Sequence, residues 1–341
     1  MTDNKIFNGI IPGILFTVPL GILAWFLGIH FPLAGGPVLG ILLGMVAAAW
    51  QRPAALNRGI TFTAKQLLQY SIILLGFEMN LFHVFTVGSQ SLFIMLSTIG
   101  AAFLTAWLAG HYLRLADNTS ILIGVGTAIC GGSAIAATAP VISATDKEIA
   151  HSISTIFLFN IVAVFLFPFF GHLLGMNDFD FGMWAGTAIN DTSSVVAAGY
   201  SYSPAAGSFA TIVKLTRTLM IIPVTLALAV FTARKKAMNP AFSVIKIFPW
   251  FILGFLLASI INTTGLLPAA ACRFLGETGK FFIVMAMTAI GLNTQLKQLL
   301  SNGLRPIVLG LSCWLAVALV SLAVQYYFQP GPTINTPFSF M

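Results

Sequence analysis

Apolar residues run through this chain in blocks longer than most soluble helices need, and polar residues collect in the gaps between them. The blocks fall at about 8–28, 34–50, 64–81, 89–112, 119–143, 149–174, 181–201, 206–233, 247–265, 279–296 and 306–328. A membrane span needs about 20 apolar residues, and in lipid its backbone groups must be satisfied internally, which for such segments means helix. The pattern predicts an all-α polytopic membrane protein with about 11 transmembrane helices. Gaps are short except at 51–63, 234–246 and 265–278. Residues 1–328 form a single transmembrane domain on this reading, and 329–341, uncharged and proline-bearing, a flexible external tail.

Composition removes the soluble alternative. Hydrophobic residues make up 58% of the 341, charged residues 7%, and mean hydropathy is +0.95. A soluble domain carries roughly 25% charged residues to face water. The net charge of +7 forms no basic stripe or aromatic-basic patch, so it speaks for topology and not for nucleic acid. Cys130, Cys272 and Cys313 are too few and too scattered for a disulfide framework or a metal site. The first apolar run is too long for a signal-peptide core, and it is expected to remain as a helix.

Lys and Arg set the orientation. If every block spans and the amino terminus is cytoplasmic, one side receives Lys5, Arg52, Arg58, Lys65, Arg114, Arg234, Lys235, Lys236, Lys246, Lys297 and Arg305. The other receives Lys147, Arg273 and Lys280, so the bias is eleven against three. This predicts a multi-pass protein of the cell (inner) membrane with a cytoplasmic amino terminus. Re-entrant hairpins at 119–143 and 181–201 would leave the 234–236 cluster cytoplasmic as well, so charge counting does not separate the two topologies.

Two internal similarities add structure to the count. Gly126-Thr127-Ala128-Ile129-Cys130-Gly131-Gly132-Ser133-Ala134-Ile135 resembles Gly186-Thr187-Ala188-Ile189-Asn190-Asp191-Thr192-Ser193-Ser194-Val195, at an offset of 60. A shorter echo links Gly76-Phe77-Glu78-Met79-Asn80-Leu81 with Gly291-Leu292-Asn293-Thr294-Gln295-Leu296. The second pair lies on segments running in opposite directions, as an inverted repeat requires. The expectation is a five-plus-five inverted repeat after one extra helix, with 119–143 and 279–296 as equivalent broken crossing helices. The offset of 60 does not fit that frame.

Candidate chemistry sits where polar residues interrupt these blocks. Cys130, Gly131, Gly132 and Ser133, followed by Pro140, read as a helix break whose exposed N–H groups suit an anion; the alternative is a close helix contact through small residues. Asn293 and Thr294 after Gly291 read as a second break. Asn190, Asp191, Thr192, Ser193 and Ser194 form the most polar run in any block. A carboxylate in the bilayer needs a partner or a proton, so Asp191 is the candidate for proton coupling, with a fixed ion pair as the alternative. Lys214 and Arg217 share one helix face, where they could neutralise substrate or Asp191, or snorkel outward. Glu78, His83, His151 and His172 lie near block ends, where solvation is the expected fate. Asn160 is mid-block and is expected to pack through a side-chain hydrogen bond.

At these motifs the sequence resembles the YeiH family of proposed sulfate exporters over essentially its whole length. The match runs through Leu74-Leu75-Gly76-Phe77, Gly126-Thr127-Ala128-Ile129-Cys130-Gly131, Val195-Val196-Ala197-Ala198-Gly199, Lys214 with Arg217, and Ala289-Ile290-Gly291-Leu292. The resemblance implies kinship with cation/proton antiporters and bile-acid-type symporters, in which a core of crossed, broken helices works against a panel domain. It implies sulfate or sulfite as substrate. Two positions depart from the family pattern: Asn190 stands where His is common, which weakens a histidine relay, and Glu78 where Arg is common, which removes a cation from an anion path.

The reading is a secondary active transporter that exports a small anion by alternating access, without enzymatic activity or a cofactor. Its substrate site would comprise Cys130, Gly131, Gly132, Ser133, Asn190, Ser193, Ser194, Lys214, Arg217, Asn293 and Thr294, with Asp191 coupling protons and no metal. Its partners would be the small anion, the lipid bilayer and a possible second copy of the chain, with no nucleic acid. No Gly-x-x-x-x-Gly-Lys-Ser/Thr loop occurs to hydrolyse ATP. The alternative is a cation/proton antiporter using Asn190-Asp191. A more remote one, an intramembrane hydrolase at Ser133, Ser193 or Cys130, lacks a nucleophile elbow or a histidine base.

Overall fold

The computed structural model describes residues 3–31, 35–50, 52–236, 250–294 and 303–328. Lys246, Lys297 and the 329–341 tail lie outside them. The described residues contain no strand. Among the described residues six helices are long and apolar enough to cross a membrane: Ile10–His30, Leu81–Tyr112, Lys147–Leu173, Pro204–Leu228, Ala269–Asn293 and Leu304–Tyr327. Large apolar side chains such as Phe26, Phe82, Phe93 and Trp107 point outward, as a lipid-facing surface requires.

The chain divides into two compact units. The first comprises 1–86, 196–208 and 250–296. It holds α1 (Asp3–His30), α2 (Gly35–Ala47), α3 (Asn57–Phe62), α4 (Leu68–Leu75), α13 (Trp250–Thr263) and α14 (Ala269–Asn293). Its helices approach closely through glycine, as helices do where burial of apolar surface is not the driving force. A Cβ on Gly13 would lie 2.5 Å from the Cα of Gly59, joining α1 to α3. A Cβ on Gly291 would run into the Ile41 carbonyl and the Gly44 Cα, so α2 and α14 need glycine on both sides. The expected break at Gly291–Thr294 falls at the end of α14, and the residues that follow 294 lie outside the described ones. Helix α14 runs unbroken to Asn293, and its end is held by Arg52, which donates to the Leu292 carbonyl (2.8 Å) and Asn293 Oδ1 (3.1 Å). Glu78, expected to be solvated, is half-buried and pairs with Lys280 at 3.1 Å; Lys280 also pairs with Glu277 at 2.9 Å.

The second unit comprises 87–195, 209–249 and 297–341. Its core follows from two interruptions. The block at 119–143 is two helices, α6 (Asp117–Ala128) and α7 (Gly132–Ile142). The block at 181–201 is likewise α9 (Asp178–Ala188) and α10 (Thr192–Tyr202). Between them runs α8 (Asp146–Leu173). Asn118, at the start of α6, donates to Glu148 at the start of α8 (3.3 Å), and Leu115 and Thr119 line one cavity with Lys147, His151 and Arg305. The block 119–143 therefore enters and leaves at the same end. It is a hairpin, closed by Gly126, whose Cβ position is 2.9 Å from the Ile135 side chain.

The second hairpin repeats this at the other end. Phe179, opening α9, stacks on Phe209 near the start of α11 (Pro204–Leu219) at 5.3 Å. A Cβ on Gly186, sixty residues after Gly126, would lie 2.7 Å from the Val213 side chain of α11. Helix α8, with 28 residues, is about 42 Å long and serves as the ruler between the two hairpins. It starts at the base of the first. Its midpoint Asn160 reaches the second tip, accepting from the Asp191 N–H at 3.3 Å. Farther along, Phe167 stacks on Trp184 of α9 at 4.2 Å. The two hairpins thus open from opposite ends and meet tip to tip. Helix α12 (Ile221–Lys236) continues α11, and α15 (Leu304–Phe328) packs along α6, α8 and α9.

Candidate functional site

The meeting tips hold most of the residues singled out from the sequence. At the first tip α6 ends at Ala128, the chain passes Ile129 and Cys130, and Gly131 turns at φ 69°, a conformation glycine adopts at little steric cost. At the second, α9 ends at Ala188 and Ile189, Asn190 and Asp191 lead into α10. Each ending helix leaves its last carbonyls without helical partners and presents a partial negative charge.

Lys214 and Arg217, three residues apart on α11 and both 0% exposed, supply those partners. Lys214 Nζ donates to the carbonyl of Ile129 (2.7 Å) and of Ile189 (3.0 Å). Arg217 Nε donates to Ala128 (2.7 Å), Nη2 to Thr127 (2.7 Å) and Nη1 to the Thr187 carbonyl. The bonded positions correspond at the offset of 60: Ile129 with Ile189, Thr127 with Thr187. The echo that fits no crossing-helix frame therefore marks two helix ends capped by the same pair of cations. A planar guanidinium fork suits three convergent carbonyls, and an ammonium suits the two nearer the tips. Two of the three ammonium protons of Lys214 are used this way. Neither cation forms an ion pair with Asp191, whereas Lys280 pairs with Glu78 and Glu277.

The helix starts are treated unequally. Asp191 caps α10: its Oδ2 accepts from the Ser193 N–H (2.9 Å) and the Ser193 hydroxyl, and its carboxylate also takes the N–H groups of Thr192 and Ser194. At the start of α7 Gly131 brings no side-chain cap, and the neighbouring Cys130 sulfur accepts from the Ala134 N–H. Nothing lies within 4 Å of a Cβ built on Gly132, and Ser133 is exposed. The positive end of α7 thus faces open space. Cys130 is buried. Asn190 is 1% exposed, and neither its amide nitrogen nor its amide oxygen has a partner. Counting charges, Lys214 and Arg217 stand against the single carboxylate of Asp191, an excess of one positive charge.

Asn293 and Thr294 belong to the first unit, where Arg52 holds Asn293 and the Thr294 hydroxyl donates to the Ile290 carbonyl (2.8 Å). Asn160 gains a role that sequence reading gave only as packing. Its amide links α8 to the second tip, with Gly131 beside it: a Cβ built there would be in ordinary contact, 3.5 Å from Asn160 Nδ2 and from Asp191 Cβ. Its position midway along the block between the two echoed segments was the available signal.

A family model described as "Conserved hypothetical protein 698" matches residues 12–310. The chain is 50% identical over 326 residues to a UPF0324 membrane protein of Streptococcus pyogenes serotype M6, covering 92% of this chain and 96% of that one. It is 45% identical over 351 residues to a UPF0324 membrane protein of Fusobacterium nucleatum, at 95% and 98% coverage. A UPF0324 membrane protein of Streptococcus mutans is 48% identical over 329 residues, at 92% and 96%. No solved structure matches the chain.

Proposed function

The chain belongs to the conserved hypothetical protein 698 family of membrane proteins, and we propose that it is a secondary active transporter exporting a small anion by alternating access. The observation that carries this reading is the pair of opposed hairpin tips fastened by Lys214 and Arg217. It leaves one excess positive charge, a helix start at Gly132 that Gly131 does not cap and an unpartnered amide at Asn190. Broken helices whose ends meet at mid-depth are how secondary transporters build substrate sites. The likeness to proposed sulfate exporters makes sulfate or sulfite the first candidates. A cation/proton antiporter would need carboxylate oxygens free for the cation, and those of Asp191 already face N–H groups.

The hairpin geometry supports nine spans and two re-entrant hairpins in place of eleven spans. The spans are α1, α2, α3 with α4, α5 (Leu81–Tyr112), α8, α11 with α12, α13, α14 and α15. Lys147 then moves to the side of Arg114, and the charge bias becomes twelve against two, with Arg273 and Lys280 outside. One hairpin plus one span reverses direction, so α6–α8 and α9–α12 form adjacent repeats of opposite orientation, which accommodates the offset of 60. The amino terminus is cytoplasmic and the carboxyl terminus external on this topology, in the cell membrane.

Counter-flow in proteoliposomes loaded with unlabelled sulfate, sulfite or phosphate tests the transport reading. Labelled anion should accumulate transiently; flux driven by sodium or pH without any anion dependence would replace the reading by the antiporter. Topology is tested separately by Asp117→Cys and Lys147→Cys, since the native cysteines are buried. A membrane-impermeant thiol reagent should reach both from the same side, and labelling from opposite sides would make 119–143 a true span.

A further inference from the structure

Asn190 is the residue at the tips that the protein itself leaves unexplained. A primary amide brings two N–H donors and an acceptor oxygen, and buried polar atoms without partners are rare in native structures. Here both ends of the side chain are buried and unpaired. Its neighbours are committed elsewhere. The Ile189 carbonyl accepts from Lys214, and the Asp191 carboxylate caps α10. The ionisable groups around the tips are Cys130 on the first, Asp191 on the second, and Lys214 with Arg217 on α11, while α8 presents the neutral amide of Asn160.

We propose, resting on the anion-transport reading, that Asn190 selects a monoanionic oxyanion that keeps a proton. One oxygen of such a ligand accepts from Asn190 Nδ2, and its O–H donates to Asn190 Oδ1. Among simple anions only those that keep a proton pair both ends of the amide. A fully deprotonated oxyanion presents only lone pairs and would face Oδ1 with repulsion, and a halide or nitrate has no proton to give. A single negative charge also matches the excess of one positive charge at the tips. Sites built to hydrogen-bond a ligand hydroxyl discriminate strongly against analogues lacking it, because their own polar atoms are then left unpaired. The start of α7, where Gly131 brings no side-chain cap, supplies the remaining donors.

The test compares wild type with Asn190→Leu, close in size but without polar atoms. Initial uptake in proteoliposomes would be measured across neutral pH at fixed total concentration for sulfite and phosphate, which titrate there. Sulfate, a dianion throughout, and nitrate, a monoanion without a proton, serve as comparators. Wild-type uptake of sulfite and phosphate should follow their monoanionic fractions, hydrogensulfite and dihydrogenphosphate, with sulfate and nitrate handled roughly tenfold or more less well. Asn190→Leu should lose that preference while the ligand-free protein melts at or above the wild-type temperature, because an orphaned amide has been removed. Equal handling of sulfate and sulfite at every pH overturns the proposal and leaves the anion transporter standing. A leucine variant that melts well below wild type overturns it too, since the amide then has a partner, protein or bound water, in the empty protein. If wild type moves none of these anions, the transporter reading itself fails.

Discussion

Arg217→Met should cost the protein much of its folded population, more than any other single neutralisation in the second unit. Three carbonyls, from Thr127, Ala128 and Thr187, converge on this one guanidinium. Removing it leaves them buried and unpaired at the negative ends of two helices, and the hairpin tips lose the group that joins them. Each orphaned acceptor costs roughly 1–3 kcal/mol, and losing one side of a buried charged contact costs about 3–5 kcal/mol. Arg217→Lys should recover only part of the loss, since a single ammonium cannot reproduce the fork. Charge reversal at Arg217 or Lys214 should be worse still, because a carboxylate would then face carbonyl oxygens. The measurement is the monodisperse fraction and melting temperature of the purified protein in detergent. An Arg217→Met protein that melts within a degree or two of wild type would mean that the carbonyls are not held by this side chain.

Asp191→Asn should behave in the opposite way, keeping the fold and changing the transport. Asn is as good a helix N-cap as Asp, so α10 keeps its start, whereas Asp191→Ala should lose about 1 kcal/mol. Because Asp191 forms no ion pair with Lys214 or Arg217, adding Lys214→Met to Asp191→Asn should rescue nothing. It should instead remove the cap on Ile129 and Ile189 and lower the folded yield. Initial anion uptake against pH, compared at equal amounts of folded protein, reads the coupling role. The asparagine protein should lose the wild-type pH dependence and, with two uncompensated cations at the tips, hold its anion more tightly and release it more slowly. Superimposable pH profiles would exclude Asp191 as the proton carrier and leave it a helix cap.

The two expectations differ because the geometry separates residues that the sequence groups together. In the sequence, Lys214, Arg217 and Asp191 are three charges in apolar blocks, and substrate contact or mutual pairing are equally natural uses for them. A lysine on one helix face can be recognised from spacing. That its proton donors meet the carbonyls of Ile129 and Ile189 depends on two chain segments arriving from opposite ends of α8. Asn293 and Thr294 show the reverse problem. Their likeness to the Gly76 segment is visible in the letters, but that Gly291 lets α14 press against Gly44 is visible only in the fold.

Membrane residence was legible from the sequence alone, because burial in lipid is a property of composition and block length, and both are written along the chain. The two helix interruptions were legible as well: polar residues in an apolar block are costly enough that Cys130–Ser133 and Asn190–Ser194 had to mark something. Whether 119–143 crosses the bilayer or turns back was not legible. A straight helix and a hairpin of two short helices can have the same hydropathy. What separates them is the contact of Asn118 with Glu148 and of Gly126 with Ile135, which no window along the sequence contains. The meaning of the sixty-residue echo was decided in the same way, since equivalent carbonyls become equivalent only when one pair of side chains on α11 reaches both.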